Sequence, residues 1–208
     1  MGGEAAHARG FAPHYQTMEN LKSEIVKFAH LMYQKGYSIA TDGNLSALRD
    51  DGNILITPAG FRKGEINENT LVVINQKGEK VEGTEEPSSE KWMHIYIYSV
   101  RPDVKAIIHA HPPYATAFSL QMPREYEPIL PEMKMFIGKF GFVAYKEAGT
   151  LELAELVKEK AKKYNVLILQ KHGIVTYGKS LSEAFNNLER LEFEIKIRAL
   201  KNLFKFQL

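Results

Sequence analysis

The chain has 208 residues, 44% of them hydrophobic, with 27 Lys and Arg against 25 Asp and Glu for a formal net charge of +2. That length supports one substantial core, and the near-neutral balance without a basic block excludes a nucleic-acid groove. No apolar run approaches the ~18 residues of a membrane span, and the absence of cysteine leaves His, Asp and Glu as the strong metal ligands.

The start, MGGEAAHARGF, lacks the apolar stretch of a signal peptide, so a cytoplasmic protein is expected. Residues 1–16 show no periodicity and read as a flexible arm or an expression remnant, which makes His7 and His14 poor ligand candidates. One domain is expected over 17–208. Thr17 can cap a helix in which Leu21, Ile25, Phe28 and Met32 recur at helical spacing, with Gly36 to end it. A short strand through Leu45, Ala47 and Leu48 then turns at Asp50–Asn53 into a second strand, 54–57. Polar loops flank this hairpin: Asp42, Gly43 and Asn44 on one side, Pro58, Ala59 and Gly60 on the other. Glycine in such loops lets backbone N–H groups approach a phosphate, or simply serves the turn.

A second hairpin turns at Gln76-Lys77-Gly78. Pro87, Ser88 and Ser89 then open a helix with Met93, Tyr96, Ile97 and Val100 at helical spacing, closed by Arg101-Pro102. Two serines at a helix start can cap it or hold a phosphate. Glu90 in the first turn suits plain capping or chemistry, and His94 reads as a packing or hydrogen-bonding residue. The apolar run 104–108 is a buried strand ending in His109 and His111. Side chains two apart in extended backbone leave the same face, so both imidazoles can reach one point.

Tyr114 to Leu120 begins a further helix, and QMPREYEPILPEM, with Pro123, Pro128 and Pro131, reads as an irregular loop. GFVAYK is a strand, Thr150 caps a helix, and VLIL is a buried strand running into His172-Gly173. Ser180 with Glu183 opens a long amphipathic helix. Hairpin-length links dominate the first half, so the expected fold is α/β, three layers in the order αβα around a mostly antiparallel sheet. Three histidines at the ends of core strands plus one carboxylate match a metal site with an open position. No Walker or dinucleotide fingerprint accompanies it.

The motifs GN, TPxG, PSSE, HxHxxxxTA and HG follow one another in TDGNLSALRDDGNILITPAG, EEPSSEKWMHIYIYSVRPDVKAIIHAHPPYATAF and LQKHGIVTYGKSLSEA. In this combination the chain resembles the class II aldolase (aldolase/adducin-type) family from about residue 18 onward. The resemblance implies zinc held by His109, His111 and His172, with Glu90 as general base. It also implies that Gly43, Asn44, Gly60, Ser88 and Ser89 bind a phosphate, and that the site lies near a subunit interface of a homotetramer. The implied reaction is retro-aldol cleavage of a small phosphorylated sugar, a ketose 1-phosphate like fuculose 1-phosphate, to dihydroxyacetone phosphate and an aldehyde. Ala59 departs from the hydroxyl residue of the fuculose enzymes. Glu132, in LPEM, stands near where those enzymes place a tyrosine, and related dehydratases carry a glutamate in a similar context. Methylthioribulose-1-phosphate dehydratase, ribulose-phosphate 4-epimerase and a non-catalytic metal-binding scaffold are therefore the alternatives.

Overall fold

The computed structural model describes residues 18–203 other than 122, 124 and 125; the expected arm, the Thr17 cap, His7 and His14 lie outside them. In chain order the elements are α1 (Met18–Gln34), β1 (Asn44–Leu48), β2 (Ile54–Ile56), a 3-10 turn (Glu68–Thr70), β3 (Val72–Ile74), β4 (Lys80–Glu82), α2 (Lys91–Val100) and β5 (Ala106–Ala110). Then follow α3 (Pro113–Ser119), α4 (Pro131–Phe136), β6 (Gly141–Val143), α5 (Leu151–Ala161), β7 (Val166–Leu169), β8 (Gly173–Gly178) and α6 (Leu181–Leu203).

Among the described residues the strands form one sheet in the order β4-β3-β2-β1-β5-β8-β7-β6. The pairings are antiparallel except β6 with β7. That exception follows from the connection, because α5 carries the chain back across the sheet and so returns the next strand in the same direction. Apart from the exposed edge strand β4, the strands divide their side chains between two cores. On one face Leu45, Ala47, Ala106, Ile108, Ala110, Ile168 and Ile174 pack with residues of α1, α3, α4 and α6. On the other, Ile56, Ile107, Leu167, Leu169, Val175 and Tyr177 pack with α2 and α5. The three-layer αβα arrangement with a mostly antiparallel sheet is the one the hairpin-rich sequence indicates.

Two local expectations change. Residues 131–136 form a helix where the proline-rich stretch reads as loop; Pro131 is its first residue, where a missing N–H leaves no bond unmade. Helix α2 begins at Lys91, leaving Ser88 and Ser89 in the loop before it. Thr150 caps α5 as expected, its Oγ1 accepting from Leu153 N at 3.3 Å. No helix among the described residues is long and apolar enough to cross a membrane.

Helix α6 carries two buried carboxylates, Glu192 and Glu194, beside an exposed Phe193. Each meets the N-terminal end of a neighbouring helix, where free N–H groups need acceptors. Glu192 accepts from Tyr114 N (3.0 Å) and Ala115 N (2.8 Å) at the start of α3. Glu194 accepts from Tyr126 Oη (2.8 Å), Ile129 N (2.8 Å) and Leu130 N (3.0 Å) at the start of α4. Truncating Glu194 to Ala strands three donors, and at about 1–3 kcal/mol for a buried unsatisfied group the variant is expected to lose about 2–4 kcal/mol in urea unfolding. An unchanged midpoint would show that the 126–130 segment is held by other contacts.

Candidate active site

Period-2 geometry delivers the first two histidines as expected. Ile107 packs on the α2 side of the sheet, so His109 shares that face and is fully buried. His111 follows just past β5, its backbone N–H held by Tyr37 O at 2.8 Å. His172 comes from the short link between β7 and β8, its N–H bonded to Leu169 O at 3.2 Å. His109 Nε2 lies 3.1 Å from His111 Nε2 and 3.2 Å from His172 Nε2, and these three rings form the metal-capable cluster. Glycine after His172 is a steric requirement: a Cβ on Gly173 would stand 2.3 Å from His111 Cδ2 and 2.5 Å from Ala110 O.

Glu90 completes the cluster. It precedes α2 at the capping position, yet makes no capping bond with its side chain. The carboxylate turns inward instead. Oε2 accepts from Asn44 Nδ2 at 2.8 Å and stands 3.2 Å from His109 Nε2. Oε1 stands 3.6 Å from His172 Nε2 and is buried with no hydrogen-bond partner. The pairing register explains how Asn44 arrives there, because in the β1–β5 ladder it lies directly opposite His109.

Tautomers now decide what the cluster can hold. His109 Nδ1 lies 2.9 Å from Ile174 O, and a carbonyl only accepts, so Nδ1 carries the hydrogen and a neutral ring leaves Nε2 bare. That bare nitrogen faces two more imidazole nitrogens and a carboxylate oxygen, and with Nε2 bare on all three rings the set would present its lone pairs to a cation. Tetrahedral zinc with Zn–N of about 2.0–2.1 Å separates its nitrogens by roughly 3.4 Å, close to the spacings found. The donor set therefore fits a borderline-soft divalent ion.

The titration pattern is consistent. Burial, reinforced by the charge of His109, pushes His111 down to about 4 and both His172 and His94 down to about 3, so these rings are neutral at neutral pH. Burial also opposes a charge on His109, but the adjacent Glu90 carboxylate outweighs it and raises the ring. Burial would raise Glu90 as well; His109 first, then His172 and the Asn44 amide, instead hold it well below the usual carboxylate range.

A cavity of about 250 Å³ opens beside the cluster, lined among others by Gly43, Asn44, Ala59, Gly60, Ser88, Ser89, Glu90, His111 and His172. The structure thus brings together every expected site residue but Glu132: His109 lies behind the cavity wall, within the cluster and in contact with Glu90, whereas Glu132 lies exposed in the first turn of α4, outside this lining. The two loops forming the far wall are zipped by Ala59 N to Glu86 O (2.9 Å) and Ser88 N to Thr57 O (3.2 Å). Ser88 can therefore offer an anion its hydroxyl, its N–H being engaged. Gly60, at φ +74°, has open space where a Cβ would stand, so its backbone is approachable from the cavity.

Sequence reasoning missed Lys63, which looks like one more solvated charge in FRKGE. It is 1% exposed, and its Nζ donates to Thr41 O (2.9 Å) and Phe61 O (2.8 Å), joining the two glycine loops from beneath. Burial lowers it to about 8, against the pull of Asp42 and Glu90.

Residues 23–199 match the family model described as Class II Aldolase and Adducin N-terminal domain. An L-fuculose phosphate aldolase of Methanococcus vannielii is 42% identical over 169 residues, 81% of this chain and 90% of its own length. A 3-oxo-tetronate 4-phosphate decarboxylase of Pectobacterium atrosepticum is 35% identical over 195 residues, covering 92% of this chain and 89% of its own. Among solved structures, one described as L-fuculose 1-phosphate aldolase superposes with a TM-score of 0.83 at 33% identity, over 95% of this chain and 92% of that one. The YgbL protein of Escherichia coli gives 0.82 at 33% identity, over 86% and 88%.

Two outcomes follow from the geometry. Gly173→Ala should displace His111 and weaken the binding of a divalent metal ion at least about 10-fold in chelator competition; unchanged affinity would contradict His111 as a ligand. In metal-stripped protein, His94, His111 and His172 take up protons near 6.5 when unfolded but only near 3 to 4 when folded. The unfolded chain then binds more protons, so stability falls as pH drops from about 6.5 to 4. His109, raised, acts in the opposite sense as one group against three. A urea midpoint that holds constant across that window would contradict the assignment of neutral buried rings.

Proposed function

The chain belongs to the class II aldolase and adducin N-terminal domain family, and from that premise we propose that it cleaves a ketose 1-phosphate resembling fuculose 1-phosphate to dihydroxyacetone phosphate and an aldehyde. It is a metal-dependent lyase. The observation that carries the reading is a buried carboxylate with one bare oxygen beside three converging imidazoles, opening on a cavity walled by glycine and serine. In this proposal His109, His111 and His172 hold zinc, and the ion when bound supplies Lewis-acid stabilisation of the negative charge that develops during cleavage.

The protein's own groups do the rest. Gly43 and Gly60 with Ser88 and Ser89 offer neutral N–H and O–H donors to the phosphate, while Lys63 beneath them adds positive charge. Asn44 frames this wall through its backbone, its carboxamide being turned to Glu90 and His94. When the bond between carbons 3 and 4 breaks, the electron pair stays with the phosphate-bearing fragment and carbon 4 departs as the aldehyde. Glu90 moves the proton at carbon 3: in condensation it removes it, and in cleavage it first takes up a proton from solvent and delivers it to carbon 3, while the carbon 4 hydroxyl proton leaves to solvent through the second group, so the protons balance. A second group must take the proton of the carbon 4 hydroxyl. We assign this to Glu132, which lies outside the cavity of its own chain and would serve a neighbour's site in a homotetramer. A cytoplasmic setting, without nucleic-acid or membrane partners, completes the proposal.

A second reading is favoured by the decarboxylase of P. atrosepticum, whose match extends over nearly the whole chain. Loss of carbon dioxide from a 3-oxo acid phosphate likewise leaves an electron pair beside a carbonyl, so the same residues would suffice.

Mass-resolved product analysis of zinc-loaded protein separates these readings, using fuculose 1-phosphate, ribulose 1-phosphate, methylthioribulose 1-phosphate and 3-oxo-tetronate 4-phosphate. Dihydroxyacetone phosphate plus an aldehyde is expected. A product lighter by one carbon dioxide would make the chain a decarboxylase. Loss of one water would make it a dehydratase, inversion at constant mass an epimerase, and no turnover of any of them would favour the scaffold. Glu90→Gln should lower turnover by at least about 10³-fold with zinc retained, and full activity in that variant would remove Glu90 from the proton transfer. Glu132→Gln should lower kcat by about 10²-fold or more; no effect would make it a bystander.

A further inference from the structure

Behind Glu90 runs a buried polar chain that the reaction does not itself require. Asn44 Oδ1 is 2.5 Å from His94 Nε2, His94 Nδ1 is 2.7 Å from Ser46 Oγ, and Ser46 Oγ is 2.8 Å from Tyr98 Oη. His94 and Ser46 are fully buried, and Asn44 and Tyr98 nearly so. Strand geometry assembles the chain. Ser46 alternates with Leu45 and Ala47, which face the opposite core, so it points at α2, where His94 and Tyr98 lie one helical turn apart.

The direction of every bond is fixed. Glu90 Oε2 is an acceptor, so Asn44 presents its NH₂ to Glu90 and its carbonyl to His94. A carbonyl cannot donate; His94 Nε2 therefore carries the hydrogen. Burial keeps the ring neutral, which leaves Nδ1 bare, and Ser46 must donate to it. Ser46 has one hydrogen, so Tyr98 donates to Ser46, and burial keeps that phenol protonated. The alternative His94 tautomer would need an acceptor facing Nδ1 and would turn Asn44 Oδ1 onto the Glu90 carboxylate.

We propose that His94, locked in its Nε2–H tautomer by Ser46 and Tyr98, is a positioning residue that orients Asn44 so that Glu90 Oε2 is tied and Oε1 is left as the proton-transferring oxygen. The inference rests on Glu90 being the base. The two oxygens are held differently: Oε2 takes the Asn44 hydrogen bond, while Oε1 takes none from the protein and stands 3.6 Å from His172 Nε2. A well-packed apolar residue at position 94 would fill the space and leave the Asn44 amide free to rotate.

The test has two arms on the zinc-loaded full chain. In the first, long-range ¹H–¹⁵N correlation of ¹⁵N-histidine protein, with His94 assigned from its absence in His94→Gln, should show a neutral ring with Nε2 protonated. An Nδ1–H ring or an imidazolium at position 94 overturns the proposal, whatever the substrate proves to be. In the second, Ser46→Ala and His94→Leu should lower kcat about 10- to 100-fold with KM and zinc stoichiometry unchanged. His94→Gln, which keeps one donor and one acceptor, should recover to within about 3-fold of the wild type. Ser46→Ala carries this arm if His94→Leu does not fold. If Glu90→Gln is inactive while Ser46→Ala and His94→Leu keep full kcat, the positioning role is wrong and the base assignment stands. If Glu90→Gln is itself active, the base assignment is what fails.

Discussion

Everything at this site depends on one electrostatic constraint: three imidazole nitrogens lie within 4.8 Å of one another, with a carboxylate oxygen 3.2 Å from the central one, at the largely buried wall of a cavity. With His109 Nδ1 donating to Ile174 O, its Nε2 faces two further imidazole nitrogens and a carboxylate oxygen. Such crowding is unfavourable in a low-dielectric interior unless positive charge stands among the lone pairs. The adjacent Glu90 carboxylate accordingly raises the basicity of His109 against its burial, while burial, reinforced by His109, lowers that of His111 and His172. A divalent ion held by His109, His111 and His172 would supply positive charge at that point.

The fold's contribution is to make the crowding affordable. Strand β5 lies inside the sheet, paired on one side with β1 and on the other with β8, so its end is held by ladders that do not shift when charge is added. The same ladders place Asn44 opposite His109 and hang His172 from the turn that enters β8. Close approach of that turn requires Gly173. The loops that face the cavity from the other side are also tied by backbone bonds, and by the buried ammonium of Lys63. Histidines and glycine and serine loops held this firmly would leave a bound substrate, rather than the protein, to make up small differences in reach.

What could be read from the sequence was what short-range periodicity determines. His109 and His111 share a face because extended backbone repeats every two residues, and the three-layer fold follows from short links in one half and helical patterns in the other. The family motifs brought Glu90 and His172 to the same place. Long-range register was not legible. Asn44 reads as a phosphate-loop residue, and only its pairing opposite His109 shows its carboxamide turned to Glu90 and His94. His94 reads correctly as a hydrogen-bonding residue, but its partners, Asn44 and Ser46, lie about 50 positions away and depend on which face of β1 meets α2. Buried charges were hidden for a related reason: Lys63, Glu192 and Glu194 have the local context of solvated residues, and only the tertiary packing brings carbonyls or free helix N–H groups to them. A helix beginning at Pro131 was likewise masked by the prolines around it.

The central claim is that these residues hold one divalent ion. X-ray absorption at the zinc edge on protein loaded with one equivalent of zinc tests it most directly. The structure predicts stoichiometric retention after desalting and a first shell at about 2.0 Å containing three imidazoles and an oxygen ligand, the imidazole signal falling by one in His172→Ala. Zinc that washes out, or a shell without histidine, would contradict the account.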